Sequence, residues 1–480
     1  MNTIYETVIG LEVHAQLLTK SKLFSGDSAV FGSEPNTHVS PITLGHPGTL
    51  PLLNRKAVEY AIKLGLACKC SITYLNYFAR KNYFYPDLPK GYQISQHTTP
   101  ICVGGIVTIR TAEGEKHIQL NRIHLEEDAG KSLHDVDDRA TCVDYNRAGV
   151  ALVEIVTEPC LSSGEDAYAF LTELRKMVRY LKVCDGNMEE GSMRCDANIS
   201  VRPMGQKELG TKVEVKNLNS IRNVKRAIET ESQRLIGILN NCGTIIQETR
   251  SFDANNGTTF ALRSKEEAND YRYFADPDLI PFKVTEALIA EVKSTIPLLS
   301  EERVSKYISQ YQLSEYDARV ITEEKEFSDY FELIIQHTTN YKAAANWLLG
   351  PVKSYLNENG YGIVNFSLQP SSIAELIQLN EDGKINFSTA SSSIFPLLVK
   401  QPDKSAIQIA VEKNLLQDAD DSEILKWVEE VLQNMPDKVL EYRKGKTGLM
   451  GLFVGAVKKA SKGKADPKIT NDILLKKLQS

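Results

Sequence analysis

The chain lacks most of the signatures by which a sequence declares its chemistry. Its 480 residues include eight cysteines, none of them in a C-x-x-C pair. Cys68 and Cys70 are too close for an ordinary bridge, and no second pair follows at zinc-ribbon spacing. Reduced and mostly buried thiols in a cytosolic protein are therefore expected. The N-terminus carries no basic stretch followed by an apolar run, which argues against a secretory signal. No segment approaches the roughly 18 consecutive apolar residues of a membrane span, so no membrane association and a cytoplasmic location are expected. There is no G-x-x-x-x-G-K-S/T loop and no G-x-G-x-x-G after a strand. The GKTG at 445–448 lacks the upstream glycine spacing and reads as a turn. Net charge is only −6, which excludes a surface that grips nucleic acid everywhere; any RNA contact has to be local.

What is present belongs to a soluble globular protein: 42% hydrophobic and 25% charged residues. At about 150 residues per domain, the length suggests roughly three domains. Residues 1–295 show strand-like alternation punctuated by glycine and proline. From 296 the pattern turns helical, as at 301–312 and 340–349, and Pro402 with Asp403 marks a second boundary before a helical tail. The expected divisions are 1–295, 296–404 and 405–480. Two stretches inside the first region read as packing helices, 163–182 with Ser163 as cap and acids in its first turn, and 223–239 with Val224, Ile228, Leu235 and Leu239 near helical spacing. Residues 25–51 hold four glycines and four prolines and read as a long ordered loop. The run NYFYPDLPKGY at 82–92 is too aromatic to be disordered.

The strongest chemical signal is a set of strands with one design. Residues two apart in a strand share a face. In VIGLEVH at 8–14, Ile9, Leu11 and Val13 form an apolar face and leave Glu12 with His14 on the other. RCDANISVR at 194–202 places Arg194, Asp196 and Asn198 opposite Cys195, Ala197 and Ile199. KVEVK at 212–216 groups Lys212, Glu214 and Lys216. A solvated polar face explains any one of these strands. Glu154 is different, because it sits alone among apolar residues in LVEIV, where a carboxylate needs a partner or a cation. Together the strands suggest a sheet whose polar face is a concave cradle lined by Glu12, His14, Glu154, Asp196 and Glu214 with basic neighbours. Several oxygen ligands and one imidazole suit Mg2+ or Mn2+, and adjacent lysine and arginine suit phosphate. That is the equipment of phosphoryl transfer, in which the protein mainly positions groups and neutralises charge.

The same runs resemble a known family. VIGLEVH, RKNYFYPD (80–87), KGYQISQ (90–96), HLEEDAGK (124–131), MEEGSMRCDANIS (188–200), KNLNS (216–220) and DYRYF (270–274) are similar to the B subunits of the tRNA-dependent amidotransferases, and NWL (346–348), GLMGLFVG (448–455) and ASKGKA (460–465) extend the similarity to the tail. The resemblance implies an α+β fold: a cradle-shaped, mostly antiparallel sheet domain with packing helices, then an all-α helical domain and an α-helical tail domain. It implies ATP- and Mg2+-dependent phosphorylation of the side-chain carboxylate of mischarged Glu-tRNA(Gln) or Asp-tRNA(Asn). Ammonia from a partner amidase, the A subunit, then completes the amidation, and a small C subunit straps the other two together.

Residue by residue, the resemblance implies His14, Glu127 and Glu154 around one ion and Glu12, Glu126 and Asp196 around a second, with the choice between Glu126 and Glu127 open. Glu12, His14, Glu127 and Glu154 are the catalytic candidates. Lys81, Arg194, Lys212 and Lys216 are candidates for nucleotide phosphate. Many members bind zinc through four cysteines in the early loop. This chain has Ser25, Asp27, Ser40 and Thr43 there, so no zinc site is expected. From 441 to 480 ten Lys or Arg stand against three acids, a local +7 in an acidic protein, suited to docking RNA phosphates. The competing readings are a freestanding ATP-dependent carboxylate–amine ligase acting on a small metabolite, and a non-catalytic RNA-binding scaffold.

Overall fold

A computed structural model describes residues 3–133, 136–264, 271–416, 421–461 and 465–479. Asp270 of the DYRYF run and Lys462, Lys464 and Ser480 of the basic tail lie outside the described residues. The chain divides into two compact units, Met1–Leu299 and Ser300–Ser480. The fold is mixed α and β.

The first unit is built on a thirteen-stranded sheet. Its main path uses β1 (Tyr5–Gln16), β2 (Ala79–Asn82), β3 (Tyr92–Ser95), β4 (Gly114–Glu127), β5 (Ala151–Thr157), β6 (Met193–Pro203), β7 (Val213–Leu218), β8 (Glu248–Asp253), β9 (Thr258–Ser264) and β10 (Arg272–Ala275). The order is β9-β8-β7-β6-β1-β5-β4-β3-β2-β10. The first strand of the chain therefore lies in the middle, with β5 on one side and β6 on the other, both antiparallel. Along this path the β7–β8 pairing is parallel.

Alternation decides the two faces. Ile9, Leu11 and Val13 of β1, Ile123 and Leu125 of β4, Val153 and Ile155 of β5, and Cys195, Ala197 and Ile199 of β6 are all buried in one core. That core is shared by α1 (Arg55–Ala67), α2 (Gly164–Tyr180) and α3 (Ile221–Asn240), and Val292 of the helix Glu286–Ser294 joins it. Phe170, Leu171, Leu174 and Val178 of α2 and Val224, Ala227, Ile228 and Leu235 of α3 recur at helical spacing and turn inward. Ser163 caps α2 by accepting from the Asp166 N–H, and Ser220 caps α3 by accepting from the Asn223 N–H. The cap at Ser220 starts α3 two residues before the position read from its apolar spacing. With the helices on one face, the polar residues of β1, β5 and β6 are left on the other.

The loop at 25–51 is held by polar bonds. Asp27 Oδ2 accepts from the Ser40 N–H at 2.9 Å and hydroxyl at 2.8 Å, from the Ser25 hydroxyl at 3.2 Å and from the Thr43 hydroxyl. Lys22 Nζ donates to the His38 carbonyl at 2.7 Å. Partial burial works against ionisation of Asp27, but the hydroxyls of Thr43, Ser40 and Ser25 outweigh it and hold its carboxyl below the ordinary value. A carboxylate whose value is depressed by folding stabilises the fold above its ordinary range and loses that contribution as pH falls through the depressed value. Asp27→Ala is expected to lower the melting temperature near neutral pH, with the gap from wild type narrowing as pH falls below about 4. An equal gap at both pH values would show that the carboxylate is not what holds the loop.

Every named element of the second unit is helical. Helices Ser300–Tyr311 and Tyr341–Trp347 match the periodic stretches, and Asn340 caps the latter. That helix continues into a wider turn, Leu348–Val352, where Pro351 cannot donate a helical hydrogen bond. The unit's apolar residues form two clusters. One runs from Val304 to Ala410 around Trp347, and takes in Ala406, Ile409 and Ala410 of the helix Ala406–Glu412. The other joins Ile424, Val428, Phe453, Val457, Leu474 and Leu478 of the last helices. No helix among the described residues is long and apolar enough to cross a membrane.

Candidate functional site

The polar face of the sheet collects side chains by register. Glu154 of β5 lies directly opposite His14 of β1 on one side and His124 of β4 on the other, and His14 lies opposite Arg194 of β6. A row His124, Glu154, His14, Arg194 therefore crosses four strands. One step along the strands, Glu12 stands opposite Asp196. Beyond Asp196 the β6–β7 register slips: Cys195 pairs with Leu218 and Ala197 with Val215. Lys216 and Asn217 thus share the position opposite Asp196. A bulge of this kind re-aims a side chain, and here the Lys216 ammonium stands 3.0 Å from Asp196 Oδ2 and 3.0 Å from Glu214 Oε1.

Of these, His14, Arg194, Asp196 and Lys216 line a cavity of about 960 Å3 whose walls also include Lys81, Tyr83, Glu126, Asp128, Glu190, Gly191 and Tyr271. His14, Glu126 and Glu154 bring their ligand atoms within 4.8 Å of one another. His14 Nε2 is 3.7 Å from Glu126 Oε1 and 3.8 Å from Glu154 Oε2. Octahedral Mg2+ with ligands at about 2.1 Å separates cis ligands by about 3 Å and trans ligands by about 4.2 Å. The observed 3.7 and 3.8 Å are wider than a cis pair and would close by under about 1 Å around an ion, and two carboxylates with one neutral imidazole are suitable donors for Mg2+ or Mn2+. The residues present fit such an ion.

Electrostatics favour the charged carboxylates that a cation needs. Burial opposes ionisation of Glu154, but the hydrogen bond and charge of His124, with His14 and Lys81, hold its carboxyl far below the usual range. Glu126 is likewise lowered against its burial, chiefly by His124 and Lys81. Burial would discharge His124, yet its bonds to Glu126 and Glu154 lift it to about 9. Lys81 stays cationic in the same way: burial works against its charge, and Glu126, Tyr273 and Glu154 outweigh it. Its ammonium lies over the Tyr271 ring at 4.7 Å and the Tyr83 ring at 5.8 Å.

Glu12, Asp196 and Glu214 form a second acid group within 4.8 Å. It differs from the first because Lys216 already lies among its oxygens. Glu12 Oε1 accepts from Asn198 Nδ2 at 2.9 Å, and Glu214 Oε2 accepts from the Thr249 hydroxyl at 2.9 Å. Burial, with the nearby charge of Glu154, raises the Glu12 carboxyl.

The geometry regroups several expectations. Glu126, not Glu127, joins His14 and Glu154. Glu127 is the next residue along β4 and turns to the other face, where Oε1 accepts from Lys90 Nζ at 2.5 Å and from the Ile94 N–H at 2.9 Å, beside a separate cavity of about 230 Å3. The second group holds Glu214 in place of Glu126. Arg194 lines the main cavity, but its Nη2 is engaged by both oxygens of Asp128, at 2.9 Å each. Lys212 precedes β7, is exposed and is not part of the cavity wall. Lys81 and Lys216 are in the wall. Sequence reasoning did not single out His124 or Asp128. The alternation of His124 with Glu126 in HLEEDAGK was the available signal for the first. For Asp128, which lies just beyond β4, there was none.

Comparison with known proteins covers most of the chain. Residues 7–290 match the family model described as the GatB/GatE catalytic domain, and residues 329–478 match a second described as the GatB domain. The chain is 49% identical over 475 residues to the aspartyl/glutamyl-tRNA(Asn/Gln) amidotransferase B subunit from Thermodesulfovibrio yellowstonii, covering 99% of each chain. It is 48% identical over 475 residues to the protein of that name from Chlorobium luteolum, again covering 99% of each. The Syntrophotalea carbinolica protein of that name is 48% identical over 478 residues, 100% of this chain and 99% of its own.

Proposed function

The chain belongs to the B-subunit family of the aspartyl/glutamyl-tRNA amidotransferases, ligase-type enzymes of protein biosynthesis, and from that premise we propose that its polar sheet face activates the side-chain carboxylate of mischarged Glu-tRNA(Gln), Asp-tRNA(Asn) or both with ATP. The single observation that carries this reading is the His14, Glu126, Glu154 group, two of whose members, His14 and Glu126, share a cavity wall with cationic Lys81.

In this mechanism His14, Glu126 and Glu154 are the residues that would hold a divalent ion. When bound, that ion neutralises charge on the nucleotide phosphates. Lys81 places its ammonium on the transferring phosphoryl group, and the aromatic rings of Tyr83 and Tyr271 keep it directed into the cavity. The substrate carboxylate oxygen attacks the γ-phosphorus, the bond to the β-bridging oxygen breaks, and ADP leaves with the electron pair. Ammonia then attacks the acyl carbon, phosphate leaves, and the excess proton is lost to give the amide. Lys216 keeps Asp196 and Glu214 from repelling the incoming phosphates. Ammonia comes from the partner amidase, the A subunit, and a small C subunit straps the two together. Residues 1–295 form the catalytic cradle and 296–404 a helical domain, to whose core the helix Ala406–Glu412 also belongs. The basic tail from 405 contacts the tRNA. The protein works in the cytoplasm, without zinc at Ser25, Asp27, Ser40 and Thr43, whose oxygens Asp27 already gathers.

The test is to purify the full chain with its partner subunits and measure ATP cleavage with correctly charged and mischarged tRNA. Cleavage is expected only with Glu-tRNA(Gln) or Asp-tRNA(Asn), coupled to glutamine-dependent amidation. Cleavage at the same rate without tRNA, or on a free amino acid, would favour a freestanding ligase and reject this reading.

A further inference from the structure

The cation site has two further imidazole-to-carboxylate contacts, both from His124, that the ligand set does not use. His124 is buried, with its side chain only 4% exposed. Its Nε2 is 3.2 Å from Glu154 Oε2 and 3.8 Å from Glu126 Oε2. Its Nδ1 is also buried and meets no partner among the described residues. A buried polar ring with one satisfied nitrogen and one orphan is an expensive arrangement for packing alone, so the contacts made through Nε2 require a reason.

Register supplies it. His124 and His14 flank Glu154 from the two neighbouring strands. Glu126 divides its oxygens between them: Oε1 faces His14 at 3.7 Å and Oε2 faces His124 at 3.8 Å. On Glu126 His124 therefore meets the oxygen turned away from His14, on Glu154 it meets Oε2, the oxygen that also faces His14, and it is absent from the group whose ligand atoms converge. Two carboxylates this close repel each other and swing apart unless something common to both holds them. Carboxylate ligands are commonly oriented by such outer partners, whose loss lowers metal affinity by about 10–100-fold.

We infer that His124 is a positioning residue: its Nε2 fixes Glu154 Oε2 at 3.2 Å, its ring edge lies 3.8 Å from Glu126 Oε2, and together these contacts set the spacing at which the two carboxylates and His14 receive a divalent cation. This rests on the proposed cation role of His14, Glu126 and Glu154, and it adds the residue that preorganises them.

The test uses the full chain in complex with its partner subunits, freed of metal, titrated with Mn2+ alone and read by electron paramagnetic resonance, without any turnover. His124→Leu is expected to raise the Mn2+ dissociation constant by about 10–100-fold. His124→Gln, which keeps an N–H near the position of Nε2, is expected to stay within a few-fold of wild type. His124→Asn places its amide near Nδ1 instead and should bind as weakly as the leucine variant. If His124→Leu does not fold, the Gln and Asn pair makes the comparison with polar side chains throughout. Equal Mn2+ affinity in wild type and His124→Leu overturns the proposal, and so does equal loss in Gln and Asn. His14→Ala separates the two readings: if it leaves Mn2+ binding intact, the cation site itself is wrong, whereas if it abolishes binding while His124→Leu does not, only the role of His124 fails.

Discussion

Glu154→Gln is expected to leave the complex assembled and to lower tRNA-dependent ATP cleavage by on the order of 10³-fold or more. The substitution keeps the shape of the side chain and removes its charge. Glu154 is the acid between His14 and His124, at 3.8 and 3.2 Å from their Nε2 atoms, in a largely buried setting. An amide there gives a cation no negative ligand and leaves Glu126 as the one remaining carboxylate of the group. A bound ion contributes several kcal/mol to stabilising charge in a phosphoryl-transfer transition state, and each 1.36 kcal/mol is a factor of ten in rate. The steady-state rate of phosphate release with mischarged tRNA is the measurement, with complex formation checked by size-exclusion chromatography. A variant that cleaves ATP within a few-fold of wild type would falsify the assignment of this face.

Trp347→Ala is expected to destabilise the second unit by about 3–5 kcal/mol. Trp347 is 1% exposed and is among the largest fully buried side chains. Its ring meets Phe387 edge-on at 5.2 Å and Phe395 at 5.9 Å between centroids. Truncation to alanine removes the indole and leaves a void at the point where three helical stretches meet. The void collapses only partly because it adjoins the wide turn Leu348–Val352, whose backbone is constrained by Pro351. A fall in melting temperature on the order of 10 °C follows for a unit of this size. Scanning calorimetry is the readout, and a loss below about 1 kcal/mol would mean that the ring does not organise this core.

The site was legible in its parts. Alternation in VIGLEVH and in RCDANISVR placed Ile9, Leu11 and Val13 or Cys195, Ala197 and Ile199 inward, and they are inward. That single rule put Glu12, His14 and Asp196 on the free face. The isolation of Glu154 among apolar residues pointed to a partner, and His124 is that partner. Helices α2 and α3 were equally readable from Ser163 and from the spacing of Val224, Ile228 and Leu235, because a cap and a period of 3.6 are local properties.

The failures of reading share one cause. Glu126 and Glu127 are neighbours, so alternation says that one of them faces His14 and cannot say which. Pairing with Leu152 and Ala151 decides it. Lys212 has the same parity as Glu214 and Lys216, but parity carries no meaning before the strand begins at Val213. Lys216 reaches both Asp196 and Glu214 because of a register slip that no local pattern records.

By itself the sequence determined which side chains each strand offers, two of the helices that cover the apolar face, and to which family the whole belongs, because these depend on residue type and on periods of two and 3.6 along the chain. Tertiary structure alone decided that residues 14, 126 and 154 meet while 127 turns away. That outcome depends on strand order and register, which are set by pairing between segments more than a hundred residues apart, with β1 inserted between β5 and β6, and a shift of one residue in that pairing exchanges the two faces.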